Sequence, residues 1–301
     1  MTLFEKTKSF VYRNARPLDL ALWKYHFENG SANEVLKILS FYQNEDGGFA
    51  YALEPDNWNT NSNPVATWAA TQRLFEIDFC DREHPIIKGI LRYLASGKDF
   101  ENGKWYNTVA GNNSFPHAIW WECPNDKGVP DDNPTVSLAG FILRFADKDS
   151  EIYKTAEKIS VKAVDEFMDK QEIEMHTARC YLDLLNYCLE IDGFDLFNVE
   201  AYRKNLIEKS EAVICKDTEK WAADYVCTPS MFFERKMTVL GAFDKSLVKA
   251  ECNLIESTQL DDGSFPVTWQ WHNDYKEFEI AANWWKSGIA IKNMLYLKHC
   301  K

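Results

Sequence analysis

Two short runs of acidic residues, each ahead of an Asn-Pro helix start, are the first candidates for chemistry. One is Glu54-Pro55-Asp56, upstream of Asn63-Pro64; the other is Asp131-Asp132, directly before Asn133-Pro134. Two neighbouring carboxyls in a dry pocket can share a proton, which keeps one neutral and able to donate. Carboxylates facing each other across a cleft are also the equipment of glycoside hydrolysis. A helix start, however, stabilises the ionised form of an acid beside it, so Asp131, Asp132 and Asn133 read equally well as a capping cluster. Asp56 holds the comparable place before the sister helix, and Glu54, Asp56, Asp131 and Asp132 are expected at one rim.

The second constellation is Phe115-Pro116-His117-Ala118-Ile119-Trp120-Trp121-Glu122. A connection with two adjacent tryptophans beside a histidine and a glutamate carries more apolar surface than a solvated loop needs. His117 is the leading general-base candidate, because imidazole is easily tuned across neutral pH, and His272 is the next. Trp284-Trp285 opens the last expected helix, with Trp269 and Trp271 just before it. Such rings can stack on sugars, stabilise a cation by their π faces, or simply plug a cavity. Arg73, Arg144, Arg235, Lys286 and Lys292 fall on expected inner helices, within reach of an anion such as a diphosphate. No Gly-rich phosphate loop, Gly-x-Ser-x-Gly elbow or His-Glu-x-x-His is present.

The elements that must position these residues repeat. Gln43-Asn-Glu-Asp-Gly-Gly-Phe49 and Gln259-Leu-Asp-Asp-Gly-Ser-Phe265 are one phrase, and Asn102-Gly103-Lys104-Trp105 and Trp221 keep parts of it. A period of about 50 residues implies stacked supersecondary units. Apolar spacing and Pro at first-turn positions predict helices over 2–14 and 17–28, 33–42 and 64–77, 85–95 and 134–146, with a long loop before the last of these. They further predict 151–169 and 176–190, 199–214 and 228–243, and 246–259 and 279–298. The small residues Ala69-Ala70 and Ala139-Gly140 suit helices that approach closely. Six helical hairpins result, an all-α chain. Neither end shows a polar capping helix, which favours a closed ring over an open solenoid.

The Gln-x-x-Asp-Gly-[Gly/Ser]-Phe phrases resemble the repeats of squalene-hopene cyclases and their relatives, the terpenoid-cyclase and prenyltransferase alpha/alpha toroid group. The resemblance implies an (α/α)6 toroid in which the Gln bonds the next helix terminus, Asp-Gly makes the turn and the aromatic packs beneath. Class II cyclases of that group protonate an alkene through Asp-x-Asp-Asp. Val129-Pro130-Asp131-Asp132 matches its last two acids, so the resemblance makes Asp131 the acid and Asp132 its partner. It would place Trp120, Trp121, Trp284 and Trp285 as walls around a prenyl chain. The alternatives are a carbohydrate-active enzyme using His117 and acids among Glu54, Asp56, Glu122, Asp131 and Asp132, and a toroid that binds without catalysis. Protein prenyltransferases of the group bind zinc through Asp, Cys and a distant His. Asp224, Cys227 and His272 imitate that set only with the wrong spacing, so neither metal nor cofactor is expected.

With 301 residues, 46% hydrophobic and 27% charged, and no linker-like stretch, one continuous domain over 1–301 is expected. A formal charge of −12 repels nucleic acid and anionic membrane. No run has the apolar length needed to span a bilayer, and the opening residues lack a signal peptide's apolar segment. Eight cysteines at irregular spacing, without a Cys-x-x-Cys pair, read as reduced core residues. A cytoplasmic protein acting on an isoprenoid or a sugar is the resulting expectation.

Overall fold

A computed structural model describes residues 1–301, of which 59% are helical, in eleven helices with one small three-stranded sheet. No helix is long and apolar enough to cross a membrane. The helices come in pairs: α1 (Leu3–Asn14) with α2 (Pro17–Phe27), α3 (Ala32–Leu39) with α4 (Pro64–Glu76), and α5 (Pro85–Ala95) with α6 (Asp132–Phe145). Then come α7 (Glu151–Asp169) with α8 (Met175–Leu189), the single helix α9 (Val199–Val213), and α10 (Lys245–Ser257) with α11 (Phe278–Cys300). Thr2, Ser31, Asn63, Ser150 and Asn198 cap their helices through side-chain oxygens, and Pro17, Pro64 and Pro85 occupy first-turn positions.

The second helices pack side by side. α4 lies against α6, α6 against α8, and α11 against both α1 and α2. α2 is tied to the end of α4 by Tyr25 Oη, which donates to the Ile77 carbonyl (3.1 Å), and by His26 Nε2 beside Glu76 Oε1 (2.8 Å). Gly140 sets the α6–α8 approach, since a Cβ there would stand 3.0 Å from Leu184 Cα.

The repeated phrase performs one task twice. Gln43 Nε2 donates to the Gly47 carbonyl (2.9 Å) and to that of Ile86 in α5 (3.2 Å). Gln259 Nε2 donates to the Gly263 carbonyl (3.3 Å), to that of Leu3 (3.0 Å) and to Thr7 Oγ1 (2.8 Å), both in α1. Asp46 and Asp262 close their turns on the backbone N–H two residues on, and Phe49 and Phe265 are buried below. The phrase after α3 therefore docks on α5, and the phrase after α10 docks on α1.

Two expectations fail. The long loop before α6 contains an antiparallel sheet of β1 (Phe100–Glu101), β2 (Lys104–Val109) and β3 (Gly128–Pro130), with Trp105 buried beneath it. Residues 228–243 form no α-helix, only short 3-10 turns over Pro229–Phe232 and Leu240–Ala242. Side chains take over the backbone there. Arg179 donates to the carbonyls of Met231 and Phe233, Glu251 accepts from Ser230 N (2.8 Å), and Glu234 accepts from Lys236 N and Thr238 N. Donors and acceptors satisfied in this way no longer require a helical ladder.

Candidate functional site

The loop entering α4 carries the most unusual acid of the chain. Glu54 is buried, and its Oε2 and the Trp121 indole N–H beside it fall just short of a hydrogen bond to each other, with no other partner for either. Burial, and then the charge of Asp56, push the Glu54 carboxyl well above its ordinary range, while Arg16 pulls the other way. Asp56, two residues on, receives the indole N–H of Trp269 at Oδ2 (3.1 Å) and that of Trp271 at Oδ1 (2.6 Å). The Trp285 indole also acts on it, although its geometry falls short of a hydrogen bond. Burial raises the Asp56 carboxyl and the indoles offset part of the rise. Asp56 thus pins residues 269–271 to the α4 entry, and Glu54 beside it is left as an acid whose proton is held more tightly than usual.

Aromatic rings line the approach. Trp58 stacks on Trp284 at 5.1 Å between centroids, with the Arg16 guanidinium 5.4 Å above the Trp284 ring. Trp285 meets Trp269 edge-on at 5.3 Å, and Trp269 meets Tyr225 at 5.4 Å. Tyr225 Oη bonds His176 Nε2 (3.0 Å), at the first turn of α8. The charges of Glu174, Asp56 and Glu54 act on Tyr225 after burial itself, so the acid pair and α8 share one wall.

Three residues further along α8, Arg179 pairs with Asp183 (Nε to Oδ1, 3.2 Å). Asp183 Oδ2 accepts from Ser137 Oγ (2.9 Å), Gln72 Nε2 (3.0 Å) and Trp68 Nε1 (3.3 Å), joining α4, α6 and α8 at one carboxylate. Burial pushes this carboxyl up and Arg179 with the donors opposes it. The expected residues did not include Asp183, Arg179, Trp68, Gln72 or Tyr225. An Arg-x-x-x-Asp spacing on an expected inner helix, which places both side chains on one face, is the signal that was available.

The other candidates are distributed as follows. Asp131 caps α6, accepting from Asn133 N (2.9 Å), and Asp132 pairs with Lys104 (2.8 Å) and Lys170 (3.0 Å). Burial opposes ionisation of Asp132, but the two lysines outweigh it and hold the carboxyl below its usual range. His117 is buried in the same loop system as Asp56, whose carbonyl accepts from Ala118 N. His117 Nδ1 lies 2.6 Å from the Phe115 carbonyl. A carbonyl can only accept, so Nδ1 carries a proton. Of the Trp120-Trp121-Glu122 run, Trp121 lies beside Glu54, whereas Trp120 and Glu122 are exposed. Asp224, Cys227 and His272 form no metal-binding group.

A cleft of about 290 Å³ lies elsewhere, at the C-terminal ends of α4, α6 and α8. It is crossed by the ion pairs Arg144–Glu190, Lys236–Glu190 and Arg235–Asp78, so each of its cations already has a carboxylate. This cleft and the unusual acids lie at opposite ends of these helices, and the chemistry is the stronger pointer. Compared with known proteins, the chain matches no family model, no curated protein and no solved structure.

Proposed function

We propose that the five helical pairs and α9, with the 3-10 segment 228–243 standing where a sixth inner helix would, close into a toroid of the (α/α)6 kind that the squalene-cyclase and prenyltransferase group uses, and that its aromatic mouth is an acid-catalytic site for a small hydroxylated substrate of sugar type. The observation that carries this reading is Glu54: a buried carboxyl, held neutral beside Asp56, with one oxygen unpaired. A neutral carboxylic acid has a proton to give at physiological pH, which is what cleavage at a glycosidic oxygen requires. In this reading Glu54 is the donor, Asp56 keeps the proton on it, and the carboxylate of Asp183 offsets positive charge arising on the substrate. Trp58, Trp284 and Trp285 stack on its rings.

The mixed wall favours a sugar over a polyene. Gln72, Arg179, His176 and Tyr225 already bond within the protein, and the donors and acceptors they have left over suit a hydroxylated substrate better than a hydrocarbon. The reading that Asp131 protonates a prenyl chain is weakened by its capping role. A prenyl substrate protonated by Glu54 stands as the second reading, supported by the stacked Trp58–Trp284 pair. For either, the protein is a cytoplasmic enzyme that needs no metal.

The test is turnover of a panel of oligosaccharides, with farnesyl diphosphate and squalene as the second arm, by wild type and by Glu54→Gln. Product from a sugar that falls by a factor of about 100 or more in the variant, with substrate still bound, is the expected result. Unchanged turnover in the variant refutes Glu54 as acid, and turnover confined to the prenyl arm replaces the substrate class.

A further inference from the structure

Among the residues other than glycine that hold a positive φ, Asn29, Asp78, Asp99, Asn102 and His272 are of the types that accept it. Tyr51 (φ +59°) and Ala52 (φ +53°) are not, and they stand side by side. Leu53 N donates to the Ala50 carbonyl across them (3.2 Å), so Ala50–Leu53 is a turn with both central residues left-handed. Asn-Gly or Gly-Gly suits such a turn. Alanine has a Cβ that crowds the backbone there and no side-chain polar group to bond it locally. A backbone kept in so unfavourable a form must be held from outside, and such places gather at functional sites. Two residues beyond Ala52 stands Glu54.

The outside hold comes from Arg16, the residue that opens α2. Its Nη1 donates to the Ala52 carbonyl (2.6 Å), its Nε donates to Asp19 Oδ2 (3.0 Å), and its guanidinium lies over the Trp284 ring. Asp19 is buried in α2, so the arginine is anchored at one side and reaches a turn 36 positions away with the other. We infer that Arg16 is the positioning residue of the Glu54 acid: by fixing the Ala52 carbonyl it keeps the 50–53 turn left-handed, and the turn so held carries Glu54 into the interior beside Trp121 and Asp56. The inference deepens the reading of Glu54 as a proton donor and rests on it. Arg16 acts here through the backbone, and its planar fork is what the role requires. A lysine keeps the charge but cannot bond Asp19 and the carbonyl at fixed angles. With the carbonyl released, the turn relaxes to right-handed backbone and Glu54 gains water.

The test reads the acid itself and needs no substrate. In protein labelled with 13C-glutamate, the carboxyl resonance of Glu54 is assigned by its loss in Glu54→Gln and followed through a pH titration. The wild-type midpoint is expected above the ordinary 4.5. In Arg16→Lys, Glu54 is expected to hold its proton about tenfold or more less tightly. Adding Ala52→Gly, which accepts left-handed backbone without a clash, is expected to restore the wild-type midpoint. A wild-type midpoint in Arg16→Lys, or a fall that Ala52→Gly does not restore, overturns the inference and leaves the acid reading standing. An ordinary midpoint already in wild type overturns the acid reading, and the inference with it. Should Arg16→Lys fail to fold, Ala52→Gly alone decides: it is expected to melt about 2 °C or more above wild type, and no rise means that the turn needs no holding.

Discussion

Glu54 and Glu76 are both interior carboxyls, and their surroundings drive them in opposite directions. At Glu76 burial favours the neutral form, but Arg73 and His26 outweigh it and hold the carboxyl at about 2. Its folded-state value lies below the ordinary 4.5, so its contribution is fully present above that pH and is lost as pH falls through about 2. Glu76→Gln is therefore expected to cost about 2 kcal/mol at neutral pH and to flatten the acid limb of the stability curve. Chemical denaturation across the acid range measures both. Glu54 has the reverse sign. Its folded-state value is raised, so its contribution is present below 4.5 and is lost as pH rises. Glu54→Gln is expected to melt higher than wild type at alkaline pH, with the gain vanishing in acid. A gain that persisted unchanged in acid would mean that Glu54 is not neutral in the fold.

The two glycines of the repeated phrase show how closely the elements meet. Gly47 has φ +95° and a Cβ there would stand 2.1 Å from the Gly89 carbonyl oxygen; Gly263 has φ +94° and would meet that of Lys6 at 2.2 Å. Both the left-handed backbone and the contact exclude a side chain. Gly263→Ala is expected to destabilise by about 2 kcal/mol or more and to loosen α1, seen as lower protection of α1 amides in hydrogen exchange. Elements of this kind were legible. The phrase, the Asn-Pro helix starts and the apolar spacing located ten of the eleven helices within a few residues, and the eleventh, α3, by its start. What escaped was decided across the chain. Residues 228–243 have helical spacing, yet Arg179 and Glu251, distant in sequence, claim their backbone. The acid site was half legible: Glu54 and Asp56 stood out together, but nothing local says that Trp121 leaves Glu54 unpaired or that two indoles occupy Asp56. Asp131 stood out through a motif match and turned out to cap α6.

At the scale of the whole molecule, the first and last helices are neighbours. α1 packs on α11, Phe4 meets Phe27 at 5.5 Å, and Lys298 lies 5.9 Å from the Phe27 ring. Joining residue 301 to residue 1 by a short Gly-Ser linker and opening the chain at the exposed Asp147-Lys148-Asp149 turn is expected to keep the helical content and a melting temperature within a few degrees. Loss of cooperative melting in that permutant would argue against ring closure.

The bond from Gln259 to Leu3 also sets a timetable. During synthesis α1 leaves the ribosome well ahead of the residue that fixes it, which follows 256 positions later. Until then α1 has α2 beside it, but the side it turns to α11 in the finished protein waits through most of translation. The segment made late in the chain thus completes the seat of a helix made early.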